Sequence, residues 1–178
     1  AFHGVTFLSL PERYNVGDKW GSFWPNCIDP CVFYDDQDNL WMSYGSWSGG
    51  IFLLRLDKSN GLRDYTYTFP YEVNGKAATS AAASANTTSD PYFGKKIAGG
   101  YYVSGEASYV EKIGSHYFLF MSYGGLTSTG GYQMRVFRSE NPEGPYVDCN
   151  GTSAVFNRYL MNYSATTADN RGGLLFGG

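Results

Sequence analysis

The tetrapeptide Met-Ser-Tyr-Gly occurs twice in this chain of 178 residues, at 42–45 and at 121–124, and this repetition constrains the fold most strongly. Each copy follows an aromatic segment and a short turn, and each precedes a turn rich in Gly, Ser and Thr and a further strand-like run. Self-similarity of this kind indicates a repeated supersecondary unit. The order of its elements predicts a four-stranded antiparallel sheet with a variable outer strand, as in the blade of a β-propeller.

Strand-like runs separated by turn signals fill most of the chain, whereas helical periodicity is hard to find. The 16 Tyr, 12 Phe, 4 Trp and 23 Gly residues favour twisted, turn-rich β-structure. Flat aromatic rings also suit carbohydrate binding, although an aromatic β-core is the simpler interpretation of the same residues. We therefore predict an all-β fold. The predicted strands cover 31–35, 39–45, 50–57, 65–71, 95–103, 107–113, 116–124, 132–139 and 152–160.

The offset of 79 residues between the two copies exceeds the roughly 40–50 residues of a usual propeller blade. We place the surplus in residues 75–90, a small and polar segment that predicts a surface insertion without structure of its own. A lid over a cleft is the alternative interpretation of this insertion. Because a propeller needs about four blades to close, residues 1–178 are predicted to be part of a single larger propeller domain.

Charge and hydropathy argue against two classes of function. The net charge of −3 and the pI near 5.3 give no basic surface for nucleic acid. No apolar run approaches the roughly 20 residues of a membrane span. The three cysteines, Cys27, Cys31 and Cys149, have no second Cys pair or His cluster nearby, so we predict buried thiols and no metal site.

A carboxylate precedes the first strand of each repeat. Asp29 stands before the strand at 31–35 and Glu106 stands 77 residues later, before the strand at 107–113. In a propeller the first strand of each blade lines the central channel, so carboxylates at equivalent strand mouths converge on one face. Glycoside hydrolysis uses such a pair, with one acid to protonate the leaving oxygen and one carboxylate to activate water or to attack. The simpler interpretation is that Asp-Pro opens a turn and that the glutamate caps a loop.

Three motifs in order along the chain resemble glycoside hydrolase family 43. "NCIDPCVFYDDQDNLWMSYGSWSGGIFLLRLD" (26–57) is similar to the second blade of that family, and "GEASYVEKIGSHYFLFMSYGG" (105–125) is similar to its third. "YQMRVFRSENPEGPYVD" (132–148) resembles the Arg-Ser…Gly-Pro-Tyr-Val-Asp segment of its endo-arabinanase branch. The resemblance implies a five-bladed β-propeller, of which this chain covers about three blades. It also implies an inverting hydrolase that cleaves α-L-arabinofuranosyl linkages in arabinan.

The resemblance carries roles onto individual residues. It implies that Glu106 is the general acid and that Asp29 modulates the pKa of this acid and helps to orient the substrate. Ser108 follows the acid as in the arabinanases and is expected to contact the sugar. Weaker substrate contacts are expected from loops that open on the same face, at Asn26, Ser46 and Trp47.

The sequence also departs from the family pattern. The general base of the family is an aspartate in an Asp-Pro motif at the mouth of the first blade, and no residue in 1–25 fits it. Asp18 lacks the context of a strand mouth. If the molecule were only this long, we would expect little or no hydrolysis.

Several alternatives stay open from the sequence. Within the same family, the chain could belong to an arabinofuranosidase or a xylosidase, and outside it to a non-catalytic carbohydrate-binding propeller or a structural β-repeat. We expect arabinan or an arabino-oligosaccharide as the partner, a monomer, and no required cofactor. A structural Ca²⁺ in the central channel of the complete propeller is allowed. Because polymeric arabinan cannot enter a cytoplasm, we expect a secreted or periplasmic protein.

Overall fold

The computed structural model describes residues 25–79, 86–100, 105–126 and 132–155, together with the backbone of 174–177. These residues form β-strands, turns and loops, with no α-helix among them, so the all-β prediction is confirmed for the described part of the chain. No helix in this part is long and apolar enough to cross a membrane. Predictions for residues 1–24, 80–85, 101–103 and 156–160 lie outside the described residues.

The first sheet contains the first predicted repeat and an extension. Its strands are β1 (Cys31–Tyr34), β2 (Leu40–Tyr44), β3 (Ile51–Leu56), β4 (Glu72–Val73), β5 (Lys76–Ala77), β6 (Thr87–Asp90) and β7 (Gly94–Ala98). They are arranged in the order β1-β2-β3-β7-β6-β4-β5, and neighbouring strands pair antiparallel. The first four strands of this order, β1-β2-β3-β7, are the predicted four-stranded unit, with β7 as its outer strand.

The second sheet contains the second repeat. Its strands are β8 (Glu106–Ile113), β9 (His116–Tyr123), β10 (Gln133–Ser139) and β11 (Leu174–Gly177), which pair antiparallel in the order β11-β10-β9-β8. Both Met-Ser-Tyr-Gly motifs lie at the end of the second strand of their sheet. Their glycines, Gly45 and Gly124, have φ of 125° and 98°. A Cβ on Gly45 would lie 2.3 Å from the Gly50 carbonyl oxygen, so the motif ends in a residue that must be glycine.

The core consists of strand faces from both sheets. Residues Ile51–Leu54 of β3 are all buried, as expected for a central strand covered on both faces. In β9 every second residue is buried, from Tyr117 through Leu119 and Met121 to Tyr123. This period of two turns one side of the strand towards the core cluster.

Hydrogen bonds join the hairpin β1–β2 of the first sheet to the hairpin β8–β9 of the second. The Val110 amide donates to Cys31 Sγ at 3.4 Å, and Ser43 Oγ lies 2.9 Å from Ser108 Oγ. The Asp36 amide donates to the Tyr117 hydroxyl at 3.2 Å. We call this row of contacts between the hairpin β1–β2 and the hairpin β8–β9 the inter-sheet seam. It fixes the position of β8 relative to β1.

Two predicted segments, at 65–71 and at 75–90, differ from the structure. Residues 65–71 form turns and loop rather than a strand, because the Asp64 carboxylate accepts from the Thr66 amide and Pro70 interrupts pairing. Residues 75–90 are not wholly a surface insertion, because Thr87–Asp90 form the buried strand β6. The small hydroxyl side chains of Thr87, Thr88 and Ser89 fit packed positions, and the buried Asp90 carboxylate accepts hydrogen bonds from the amides of Tyr92 and Phe93. Their polarity conceals this strand in the sequence.

The prediction of buried cysteines is also wrong for two residues. Cys27 and Cys149 are exposed, because each lies in a loop outside the strands, whereas Cys31 in β1 is half-buried. Partial burial raises the pKa of the Cys31 thiol.

The turn between β1 and β2 is organised by one buried carboxylate. Asp35 accepts hydrogen bonds from the amides of Gln37 and Asn39, from Asn39 Nδ2 and from Trp41 Nε1, at 2.8–2.9 Å. Burial would raise the pKa of Asp35, but the hydrogen bonds from Trp41, Asn39 and Gln37 outweigh it and hold that pKa below its ordinary value. The acidic turn is therefore structural at this position.

Asp35→Ala should lower the free energy of unfolding by about 2–3 kcal/mol at pH 7, because buried donors including the indole N–H lose their acceptor. The folded pKa lies below the unfolded value, so the contribution is present above about pH 4 and lost as the pH falls through the folded value. Chemical denaturation at pH 7 and at pH 3 measures both effects. Asp38→Asn in the same turn removes an exposed ion pair to Lys58 and should change stability by less than about 1 kcal/mol. Equal losses in the two variants would contradict the assignment.

Candidate active site

Glu106 is the first residue of β8, and its carboxylate is hydrogen bonded through both oxygens. The Tyr132 hydroxyl donates to Oε1 at 2.9 Å, and Ser46 Oγ donates to Oε2 at 3.3 Å. The three side chains come from β8, from the residue preceding β10 and from the loop after β2. Glu106 is half-buried, so its carboxylate is held in one orientation and still reaches solvent.

Asp29 lies beside Glu106, as the repeat predicts. Its Oδ2 accepts a hydrogen bond of 3.0 Å from the amide of Ala107, the residue that follows Glu106. The charges of Glu106 and Asp29 both raise the pKa of Tyr132, after the larger effect of burial. The two carboxylates predicted from the strand mouths are therefore at one site, 77 residues apart in the chain.

The backbone around this site adopts rarely populated conformations. Asp29, Trp47, Ser48 and Ala107 have φ of 54°, 47°, 39° and 52°, in the left-handed region that favours glycine. Such residues cost about 1–2 kcal/mol each and persist where the surrounding contacts determine them. Their concentration next to Glu106 is typical of a functional site.

The loop after β2 is held by the Asn26 side chain and by one backbone hydrogen bond. Asn26 Nδ2 donates to the Ser46 carbonyl oxygen at 2.7 Å and to Ser48 Oγ at 3.3 Å. The Trp47 amide donates to the Gly105 carbonyl oxygen at 2.9 Å, which ties the loop to the residue before Glu106. The Asn26 amide group thus fixes the loop, while the half-buried Trp47 ring lies in the same loop as Ser46, a direct partner of Glu106.

Ser108 lies in the inter-sheet seam. It is 4% exposed and its hydroxyl is hydrogen bonded to Ser43, so it contributes to sheet packing two residues after Glu106. The four predicted substrate contacts thus differ in how they are placed relative to Glu106. Ser46 contacts Glu106 directly, Trp47 shares its loop, Asn26 supports that loop, and Ser108 is covered.

Tyr132 is a site residue that the sequence reasoning missed. Tyr44 pairs with Phe52 in the first sheet and Tyr123 pairs with Gln133 in the second, so Tyr132 occupies the position of Ile51. Ile51 is fully buried, whereas Tyr132 is 37% exposed. Aligning the two repeats by strand register places Tyr132, which has a polar hydroxyl group, opposite the buried aliphatic Ile51. That difference is the sequence signal that could have identified Tyr132.

A cavity of about 430 Å³ lies away from Asp29 and Glu106, between the outer strands of the first sheet and residues 143–155. Lys96 and Tyr146 are among its lining residues, and neither Asp29 nor Glu106 lines it. Burial lowers the pKa of Lys96 to about 7. Among the described residues, no group of three or more His, Cys, Asp or Glu side chains could hold a metal ion.

The arrangement can transfer a proton. A carboxyl group held through both oxygens and open to solvent can present one of them to a bound ligand, and a second carboxylate lies on its flank. An all-β protein with paired carboxylates at the mouths of equivalent strands in two sheets has the chemical equipment of the glycoside hydrolases.

Comparison with known proteins gives the family. The model of glycosyl hydrolases family 43 matches residues 16–173, and the chain belongs to this family. The chain is 39% identical over 145 residues to an extracellular endo-α-(1→5)-L-arabinanase of Thermotoga petrophila, covering 76% of this chain and 26% of that protein. It is 40% identical over 129 residues to an extracellular endo-α-(1→5)-L-arabinanase 2 of Bacillus subtilis, covering 71% of this chain and 22% of that protein.

A solved structure agrees with these relatives. The crystal structure of the endo-1,5-α-L-arabinanase from Thermotoga petrophila superposes with a TM-score of 0.59 at 36% identity, covering 79% of this chain and 27% of that one. The chain spans about a quarter of the length of the relatives that it matches.

Ala107→Gly should raise the free energy of unfolding by about 0.5–1 kcal/mol, because glycine adopts the φ of this exposed position without a Cβ penalty. Ala107→Val should lower it by about 1–2 kcal/mol, since a β-branched residue tolerates positive φ poorly. Chemical denaturation measures both changes.

Ala77→Gly is the matched control, because Ala77 is exposed in β5 and is not among the residues with positive φ. There glycine should be destabilising by about 0.5–1 kcal/mol. A destabilisation of equal size in both glycine variants would show that Ala107 is not strained.

Proposed function

We propose that the protein carrying this chain is an inverting glycoside hydrolase that cleaves α-L-arabinofuranosyl linkages in arabinan. The single observation that carries this is the pairing of Asp29 with the backbone next to Glu106, at the mouths of equivalent strands. The relatives that support the substrate are named endo-arabinanases. Their names also describe them as extracellular, which supports secretion for this protein.

In this proposal Glu106 is the general acid. Its protonated carboxyl group gives a proton to the glycosidic oxygen as the bond from that oxygen to the anomeric carbon breaks. Water adds to the anomeric carbon and loses a proton to a carboxylate base. We assign no base among the described residues, so that group is expected from another part of the complete protein.

We propose that Asp29 supports the acid rather than reacting. Its Oδ2 holds the Ala107 amide, which fixes the backbone at the start of β8 and hence the point from which the Glu106 side chain projects. Its negative charge also lies close enough to raise the pKa of Tyr132. A carboxylate in this position can influence the protonation of the acid and can accept hydrogen bonds from sugar hydroxyl groups.

The proposed complete fold is a five-bladed propeller, of which the two described sheets are consecutive blades. We propose a monomer in which 1–178 belongs to one domain, with the exposed segment around β5 as a small surface excursion. No cofactor is required by this chemistry. The described carboxylates do not form a cluster that fits a structural Ca²⁺, and the proposed proton transfer uses protein side chains.

Glu106→Gln should lower kcat on linear α-1,5-arabinan about 10²–10⁴-fold, because the amide cannot donate the proton. The loss should be much smaller on a nitrophenyl arabino-oligosaccharide, whose leaving group departs with little protonation. Initial rates of the complete protein on both substrates measure the difference.

Glu111→Gln is the matched control, since Glu111 is an exposed glutamate of the same strand and should leave both rates unchanged. Unchanged hydrolysis by Glu106→Gln would overturn the acid assignment. Binding of arabinan without hydrolysis by the unsubstituted complete protein would favour a carbohydrate-binding protein. Arabinose as the first product would favour exo action or arabinofuranosidase activity, and release of xylose from xylo-oligosaccharides would favour a xylosidase.

A further inference from the structure

The two oxygens of the Glu106 carboxyl group have different surroundings. Oε1 lies 2.9 Å from the Tyr132 hydroxyl, which is within the usual range for an O–H···O hydrogen bond. Oε2 lies 3.3 Å from Ser46 Oγ, which is longer and weaker. A hydroxyl group can also rotate to donate or to accept, so Ser46 is compatible with a proton on Oε2.

We propose that Tyr132 is a positioning residue for the general acid, and that its hydrogen bond to Oε1 assigns Oε2 as the oxygen that delivers the proton. This inference rests on the proposed role of Glu106 and deepens it. A carboxyl group that receives a donor at Oε1 carries its own proton most favourably on the other oxygen. The Tyr132 hydroxyl therefore selects both the rotamer of the side chain and the oxygen that reacts.

The proton balance of the step is simple. The Oε2–H bond breaks as its proton moves to the glycosidic oxygen, and the electrons of the bond between that oxygen and the anomeric carbon leave with the departing sugar. Water supplies the new bond to the anomeric carbon and gives its proton to the carboxylate base of the complete protein. Glu106 ends the step as a carboxylate that accepts from Tyr132 at Oε1 and from Ser46 at Oε2. Both hydrogen bonds are then charge-assisted and stronger.

Tyr132 is suited to remain a donor throughout. Burial has the largest effect and raises its pKa, and the hydrogen bond with Ser122 lowers it. The hydrogen bond to Glu106 and the charges of Glu106 and Asp29 raise it further, so the net shift of the Tyr132 pKa is upward. The hydroxyl is therefore protonated over the working range of a carboxylic acid. Among the described residues, two titratable groups lie near Glu106: Asp29, in the loop before β1, and Tyr132. Its other neighbour Ser46, and Ser122 beside Tyr132, do not titrate.

Tyr132→Phe in the complete protein tests the inference, because it removes the hydroxyl and keeps the ring. The loss of a donor to the carboxylate makes proton loss from Glu106 harder, so the alkaline limb of the kcat profile should move up by about half a unit to one pH unit. At the optimum, kcat on α-1,5-arabinan should fall about tenfold because the carboxyl group is less well oriented, and KM should change less than about twofold. The rate on a nitrophenyl arabino-oligosaccharide should fall less, as it depends little on the acid.

Tyr67→Phe is the matched control. Its hydroxyl donates to Glu143 at 2.8 Å, so the variant removes an equivalent Tyr–Glu hydrogen bond away from Glu106. It should leave the pH profile of kcat and the ratio of rates on the two substrates unchanged. Thermal unfolding of both variants checks that the fold is intact.

The outcomes separate this inference from the function on which it rests. A Tyr132→Phe variant with an unmoved alkaline limb, or with equal losses on both substrates, overturns the role of Tyr132 while Glu106→Gln still identifies the acid. Full activity of Glu106→Gln on arabinan overturns the acid assignment, and the role of Tyr132 with it. A limb that moves for Tyr132→Phe and not for Tyr67→Phe supports the proposal.

Discussion

The inter-sheet seam is the interaction on which the site depends. Strands β1 and β8 do not pair with each other, so their relative position is set by the separate contacts of Cys31 with Val110, of Ser43 with Ser108, and of Asp36 with Tyr117. Trp47 and Asp29 extend the same row to Gly105 and Ala107, on either side of Glu106. The carboxylate at the mouth of one strand is therefore located by side chains and amides that belong to the other sheet. A row of hydrogen bonds is more directional than apolar packing, which suits a site that needs defined geometry.

The seam also explains how the strained backbone is retained. Four non-glycine residues with positive φ surround Glu106, and a cost of about 1–2 kcal/mol each must be offset elsewhere. The amide of Ala107 is held by Asp29, the amide of Trp47 by Gly105, and the loop containing Ser48 by Asn26. The buried strand β3 and the alternating face of β9 supply the apolar burial that keeps both sheets in place. The apolar core thus supplies most of the folding free energy, and part of it offsets the strain of the backbone at the site.

The repeat and its alternating patterns allowed prediction of the four-stranded unit in the first sheet, of strands β8, β9 and β10 in the second, of the equivalence of Asp29 and Glu106, and of the loop that contains Ser46. The fourth strand of the second sheet, β11, was not among the predicted strands. Period-two burial, glycine turns and aromatic strands are local properties that a sequence displays directly. The sequence did not predict the buried strand β6, because Thr and Ser have polar side chains that nonetheless pack well. Nor did it predict that Ser108 is covered or that Tyr132 reaches Glu106, because both depend on which strand of a different sheet lies nearby. Long-range register, rather than local propensity, decided these cases.

In the proposed mechanism Glu106 faces the scissile bond, while Tyr132 holds the opposite oxygen of its carboxyl group. A crystal structure of the complete Glu106→Gln protein with a bound α-1,5-linked arabino-oligosaccharide tests it most directly. We expect a glycosidic oxygen at about 2.6–3.2 Å from the residue-106 side-chain atom that replaces Oε2, with the Tyr132 hydroxyl on the other side-chain atom. An oligosaccharide seated elsewhere, for example in the cavity lined by Lys96 and Tyr146, with no glycosidic oxygen near residue 106, would contradict it.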